Sequence, residues 1–288
     1  MAKAIQALPS FAAVAAGQTA TVRFPETATY SAVMLDIKHG AGVAMTSALM
    51  KTHIANLKLK VAPRKGGGAI TVWDLTGAEY IALLDYYEVP REDGILPLIF
   101  ARNWLRDVPG VPDGRAGDRF ALGTADLSNV TLEVTFDATV ITPKISGYGH
   151  IYAEGNLPIG QFIKLDTKRG YAAAAAGVFE ISDLPVVGPG VGLNSMHFKS
   201  ALIDKLEMHV NGRIFRETNV PLAKTIQNIE TYRSGGRTWQ AGYTHVDLAG
   251  ERYTDIVETT AFRDFRLKLT MSGAANFDVI LETVIGVA

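Results

Sequence analysis

The sequence contains no cysteine. Disulfides, thiolate metal sites and cysteine nucleophiles are therefore excluded, and stability has to come from burial and assembly. A charge excess is missing as well: 28 Lys and Arg stand against 29 Asp and Glu, a formal net charge of -1. Such a balance leaves no cationic surplus to neutralise nucleic-acid phosphates or an anionic lipid surface. Lys3 is the only basic residue in the first twenty, so there is no basic genome-binding arm. No run of 18 apolar residues exists, which excludes a membrane-spanning helix. Ala4 to Ala16 comes nearest to a signal peptide, but Gln6, Pro9 and Ser10 break its apolar run, and secretion is not expected.

What the chain does have is length and repetition. At 288 residues it exceeds one ordinary core, and two domains are expected. Ile54-Ala-Asn-Leu-Lys-Leu-Lys-Val-Ala-Pro-Arg64 returns 149 positions later as Ile203-Asp-Lys-Leu-Glu-Met-His-Val-Asn-Gly-Arg213, with Leu57, Leu59 and Val61 answered by Leu206, Met208 and Val210. A second match sets Phe120–Phe136 against Leu267–Thr283, with Asn129-Val-Thr-Leu-Glu-Val-Thr answered by Asn276-Phe-Asp-Val-Ile-Leu-Glu. Together they imply a duplicated unit of half the chain. Two copies of one β module suit building better than catalysis.

Alternating apolar and polar residues dominate both halves and predict about eight short strands in each, punctuated by Gly and Pro. In the first half these include 19–24, 31–37, 56–61, 69–73, 95–100, 119–122 and 129–136. In the second they include 161–165, 178–181, 196–199, 206–210, 213–217, 243–248, 265–271 and 277–284. That pattern is a sandwich or jelly roll in each half. Lys65-Gly-Gly-Gly68 and Asn211-Gly212 supply hairpin turns at equivalent places, because glycine accepts positive φ. One helix per half follows the hairpin. Thr76-Gly-Ala-Glu79 is a capping box ahead of Tyr80, Leu83, Leu84 and Tyr87; Leu222, Ile226 and Ile229 follow Pro221. The glycine-rich stretch Ser146 to Gly160 contains or adjoins the crossing between copies, and Ala172 to Ala176 is expected to be a loop or helical turn.

Chemistry is scarce. His39, His53, His150, His197, His209 and His245 show no zinc-type spacing, and no Gly-x-Ser-x-Gly elbow frames a nucleophile. Asp113 and Asp118 are hard oxygen ligands in a glycine-rich loop, but no EF-hand pattern supports a structural calcium, and Arg115 and Arg119 pair with them more simply. Asn129-Val-Thr131 is a glycosylation sequon inside a predicted strand. Trp73, Trp104 and Trp239 are expected in packing rather than on a sugar platform. No residue is assigned a catalytic, cofactor-binding or metal role.

Short islands nearly spanning the chain carry a resemblance. Ser10-Phe11 with Val14-Ala-Ala-Gly17 and Thr29-Tyr30 leading into Leu35 come first. Phe120-Ala-Leu-Gly-Thr124, Pro143-Lys144, Glu180-Ile-Ser-Asp-Leu-Pro185, Asp264-Phe-Arg-Leu-Lys268, Glu282 and Gly286-Val287 follow in order. In these the chain resembles the major capsid proteins of corticovirus-type marine bacteriophages; the 146–161 segment departs most from them. The resemblance implies two tandem eight-stranded jelly rolls, an all-β double jelly roll, with a short helix inserted in each. Residues 1–145 and 146–288 are the expected domains. It also implies homotrimers of nearly hexagonal outline in the virion capsid, touching neighbouring capsomers, vertex or minor capsid proteins and an underlying viral membrane, with no direct nucleic-acid contact. The alternatives are a jelly-roll carbohydrate-binding or hydrolytic protein, and a minor capsid or spike protein.

Overall fold

Nearly every alternating stretch becomes a strand. A computed structural model describes residues 3–66, 68–105, 116–153, 155–187, 191–231, 236–252 and 255–286. The first half runs β1 (Lys3–Ala7), β2 (Thr19–Arg23), β3 (Tyr30–His39), β4 (Val43–Ala44), α1 (Ser47–His53), β5 (Ile54–Pro63), β6 (Ile70–Leu75), α2 (Gly77–Tyr86), β7 (Ile95–Ile99), β8 (Leu127–Phe136) and β9 (Lys144–Tyr152). The second runs β10 (Gln161–Ala173), β11 (Gly177–Ile181), β12 (Val191–Phe198), β13 (Ile203–Val210), β14 (Arg213–Asn219), α3 (Val220–Thr231), β15 (Thr244–Asp247), β16 (Val257–Glu258), β17 (Phe265–Met271) and β18 (Ala275–Gly286).

The two halves share one topology. β1-β9-β3-β7 in the first matches β10-β18-β12-β15 in the second; β6-β5-β8-β2 matches β14-β13-β17-β11. Each pair of sheets closes over an apolar core. On β5 and β8 the buried residues face one another as Leu57 with Val134, Leu59 with Leu132 and Val61 with Val130. On β13 and β17 the same places hold Leu206 with Leu269, Met208 with Leu267 and Val210 with Phe265. Each such side chain is worth roughly 1.5–3 kcal/mol when fully buried. Even a ladder irregularity is repeated: the register shifts between Leu59 and Lys60 against β6, and between Met208 and His209 against β14.

The first sequence match is therefore structural and the second is not. Asn129–Thr135 lies in β8, whereas Asn276–Glu282 lies in β18. The true counterpart of Val134 is Leu269, 135 positions on. Any two amphipathic strands share a period of two, so alternation alone does not identify partners.

Four further expectations change. Residues 119–122 do not form a strand, since Ala116–Phe120 is a 3-10 turn. The first half carries a second short helix, α1, capped by Thr46, whose hydroxyl accepts from the Leu49 N–H at 3.3 Å. Ser146–Tyr152 belongs to β9, which pairs with β1 and β3, so strand continues past residue 145 into the glycine-rich stretch. Gly149 is needed in that strand because a Cβ there would stand 2.6 Å from the Tyr30 ring. Of the alanine run, Ala172 and Ala173 extend β10 instead of forming a loop or helical turn.

The Asn211-Gly212 turn and the capping box appear as expected, while Gly67 of the Lys65–Gly68 turn lies outside the described residues. Asn211 and Gly212 both take positive φ, 50° and 76°, between β13 and β14. Thr76 and Glu79 exchange both capping-box hydrogen bonds at the start of α2.

Candidate functional site, the seam between the modules

The modules are joined by more than a linker. β10 pairs in parallel with β6, Leu165 opposite Trp73 and Asp166 opposite Asp74, so the second module's first sheet and the first module's second sheet form one nine-stranded sheet. The Trp73 indole N–H donates to the Ile163 carbonyl at 3.0 Å. Ile163, Leu165, Ile280 and Val284 of the second module pack into the first module's core. The outward face of the β10-β18-β12-β15 sheet is thus covered by the first module.

Two polar clusters lock this contact. In the first, Glu79 serves twice. Besides capping α2 it accepts from Arg169 at 2.9 and 3.2 Å and from Lys199 at 3.0 Å, both from the second module. Burial pushes the Glu79 carboxyl up, but Arg169, the Thr76 N–H and Lys199 more than reverse this and hold it below the ordinary carboxylate range.

The second cluster lies deeper. Glu282 on β18 is fully buried and accepts from the Tyr87 hydroxyl at 3.1 Å, Asn194 at 3.0 Å and the Arg102 guanidinium at 3.4 Å. Burial raises its carboxyl, yet the Arg102 charge, His197 and Tyr87 win, and its pKa falls to about 2. Ser195 Oγ and His197 Nε2 are 2.9 Å apart, and His197 Nδ1 meets His245 Nδ1 at 2.7 Å. Tyr86 stacks on His245 at 4.2 Å and its hydroxyl donates to Gln227 of α3 at 3.0 Å. Burial, with help from His197 and Lys224, holds the His245 imidazole well below its usual range. Burial keeps Asp247 above its usual range against Arg237, which bonds it at 3.3 Å. These groups bond largely to one another and are closed off from solvent, while Arg102 Nε, Asn194 Oδ1, His245 Nε2 and Glu282 Oε1 are buried without a hydrogen-bond partner among the described residues. The arrangement fixes one geometry between two bodies.

The residues singled out from sequence are dispersed. All three tryptophans are at or beside the seam: Trp73 as above, Trp104 stacked on Tyr87 at 4.7 Å, and Trp239 edge-on to His245 at 5.3 Å. They pack and do not form a platform. His209 bonds Glu207 at 3.1 Å, and His150 bonds Ser31 at 3.2 Å. Asp113 and Arg115 lie outside the described residues; Asp118 accepts the Tyr152 hydroxyl. Asn129 lies in β8 and accepts from Thr131 at 3.1 Å. The seam itself was missed. His197 and His245 are 48 positions apart, and the available signal was polar residues alternating against core positions in two strands.

The sequence matches the Viral coat protein P2 N-terminal domain over residues 5–152 and the Viral coat protein P2 C-terminal domain over residues 166–287. No curated protein matches it. Among solved structures, the major capsid protein P2 from Bacteriophage PM2 is 20% identical, with a TM-score of 0.85 over 100% of this chain and 98% of that one. The STIV MCP is 11% identical, TM-score 0.62, over 99% and 97%. The PBCV-1 virus capsid is 11% identical, TM-score 0.62, over 99% and 94%. These likenesses carry the double jelly-roll fold. With both halves matched in order and folded alike, the chain belongs to the viral coat protein P2 family, and its work is structural, as a building block of a virion's capsid.

Proposed function

We propose that the chain assembles as homotrimers of nearly hexagonal outline, and that these capsomers tile an icosahedral bacteriophage shell as its major capsid protein. One observation carries this reading: two modules of identical topology meet through unlike faces, the α2 and β6 side of one against an outer sheet face of the next. A contact between unlike faces propagates, and it closes into a ring when the rotation per step divides a full turn. Three chains supply six modules for such a ring. The other partners suggested by the resemblance, namely neighbouring capsomers, vertex proteins and an underlying membrane, belong to the same proposal.

Purified protein is expected to sediment as a particle three times the 31.0 kDa chain mass. A stable monomer at micromolar concentration contradicts the reading. Copy number in purified particles separates the major shell role from a minor capsid or spike role. A carbohydrate-binding surface gains no support from the tryptophans, which are engaged at the seam.

A further inference from the structure

We infer that the ring closes through a second version of the seam, in which α3 and β14 of one chain dock on the outward face of the β1-β9-β3-β7 sheet of the next. This rests on the trimeric reading and assigns its contact residues.

The duplication fixes which residues correspond. Thr218 stands opposite Leu206 as Leu75 stands opposite Leu57, so Asn219 takes the place of Thr76. Asn219 also does the same work, accepting from the Leu222 N–H at 2.8 Å ahead of α3. Counting on from these caps, Leu222 occupies the position of Glu79, and Ile229 that of Tyr86. Glu79 and Tyr86 are the α2 residues that grip the second module. Leu222 and Ile229 are large, apolar and open, 46% and 65% exposed. Their helix already buries Ala223, Gln227 and Thr231 on its other side.

The receiving face is matched in the same way. The β3–β9 ladder shifts register between Tyr30 and Ala32, and the β12–β18 ladder between Leu193 and Ser195. Aligning these bulges sets Ala32 with Ser195, Met34 with His197 and, through the flanking strand, Pro97 with His245. Within the chain, Tyr86 rests on His245 and His197. The equivalent surface over Met34 and Pro97 is a groove of about 450 Å³, lined also by Val89, Ile99 and Trp104 and bordered by Tyr87 and Arg237 of the seam. It is the seat for Ile229 of a second copy.

The strand edges agree. The same alignment puts Ile5 of β1 in the place of Leu165 of β10. Leu165 is 1% exposed because it lies against the first module; Ile5 is 77% exposed. Leu165 pairs in parallel with Trp73, whose counterpart on β14 is Arg216, opposite Met208 as Trp73 is opposite Leu59. Among the described residues β1 pairs only with β9 and β14 only with β13, leaving one edge of each open. Ile5 of the next chain therefore lies opposite Arg216, and Gln6 opposite Glu217, in a parallel ladder that continues the sheet between chains. Both halves of this contact are left open on the one chain, so the occupant is a second copy.

Because the native chain has no cysteine, Ile5→Cys/Arg216→Cys places the only thiols at the predicted rung. Mild oxidation is expected to yield covalent dimers and trimers and nothing larger from isolated capsomers, with both single variants forming neither product. Independently, Leu222→Asp/Ile229→Asp is expected to leave far-UV circular dichroism unchanged while raising the trimer dissociation constant at least about 100-fold, as for charges placed in an interface centre. Trimers that show neither the cross-link nor sensitivity to the helix variant overturn this interface and leave the trimeric reading standing. A monomeric parent protein overturns both.

Discussion

Arg102 and Glu282 form an ion pair across the seam, 3.4 Å apart, with 7% and 0% of their side chains exposed. Arg102 follows the last strand on one edge of the first module's sheet, and Glu282 lies in the middle of a second-module sheet. Neither charge has water to fall back on while the modules are closed, so each depends on the other there.

Arg102→Met is accordingly expected to destabilise the chain by about 3–5 kcal/mol, because it strands a buried carboxylate. The double variant Arg102→Met/Glu282→Gln removes both charges and is expected to recover most of that loss. Urea denaturation measures both. An additive double variant would show that the pair is not coupled.

Acid is expected to open the seam in two stages. His245 has a folded pKa below its unfolded value of about 6.5, so as pH falls below that value the unfolded chain takes up a proton that the folded chain refuses. Stability falls over that range by up to about 1.4 kcal/mol per pH unit. Glu282, at about 2 in the folded chain, contributes stability that is complete above its unfolded value and lost as pH drops from there toward 2. Asp247, raised by burial, works in the opposite sense and returns some stability as it protonates. His245→Phe keeps the stack on Tyr86 and should flatten the upper stage in a plot of melting temperature against pH. Parallel curves for parent and variant would refute the assignment.

The two duties of Glu79 can be separated. Thr76→Ala removes the N-cap and should cost about 1 kcal/mol. Glu79→Gln retains an amide able to complete the capping box but forfeits the charge shared with Arg169 and Lys199. Its loss of stability by chemical denaturation is expected to exceed that of Thr76→Ala. The reverse order would mean that the helix cap, and not the clasp, is the major role.

Gly149→Ala forces a methyl group against the Tyr30 ring, and overpacking of this kind costs about 1–3 kcal/mol. Combining it with Tyr30→Leu should relieve part of the penalty. If the single variant melts at the parental temperature, the strand yields there more easily than the contact indicates.

Legibility in the sequence followed how local the cause was. The capping box and the Asn211-Gly212 turn are satisfied within a few residues and were legible directly. Strands with one buried face announced themselves by period. β9 did not, because Gly147 and Gly149 stand where Leu8 and Tyr30 take the space of side chains, and its apolar signal is carried by residues elsewhere. β1 was silent because its side chains are exposed on both faces and it is held through its backbone. The seam was invisible for a third reason: Glu282, His197 and His245 become neighbours only once β18, β12 and β15 are laid side by side. A repeat of pattern signals that two modules exist, but the contact that unites them is written in positions where the copies differ.

The placement of Trp73, Trp104 and Trp239 gives the protein a built-in optical probe. Indole emission shifts to longer wavelength when water reaches the ring, and these are the chain's three indoles. Intrinsic fluorescence will therefore report the parting of the two halves with no dye attached, and a red shift that precedes the loss of β-sheet signal would mark hinge opening as a step ahead of unfolding.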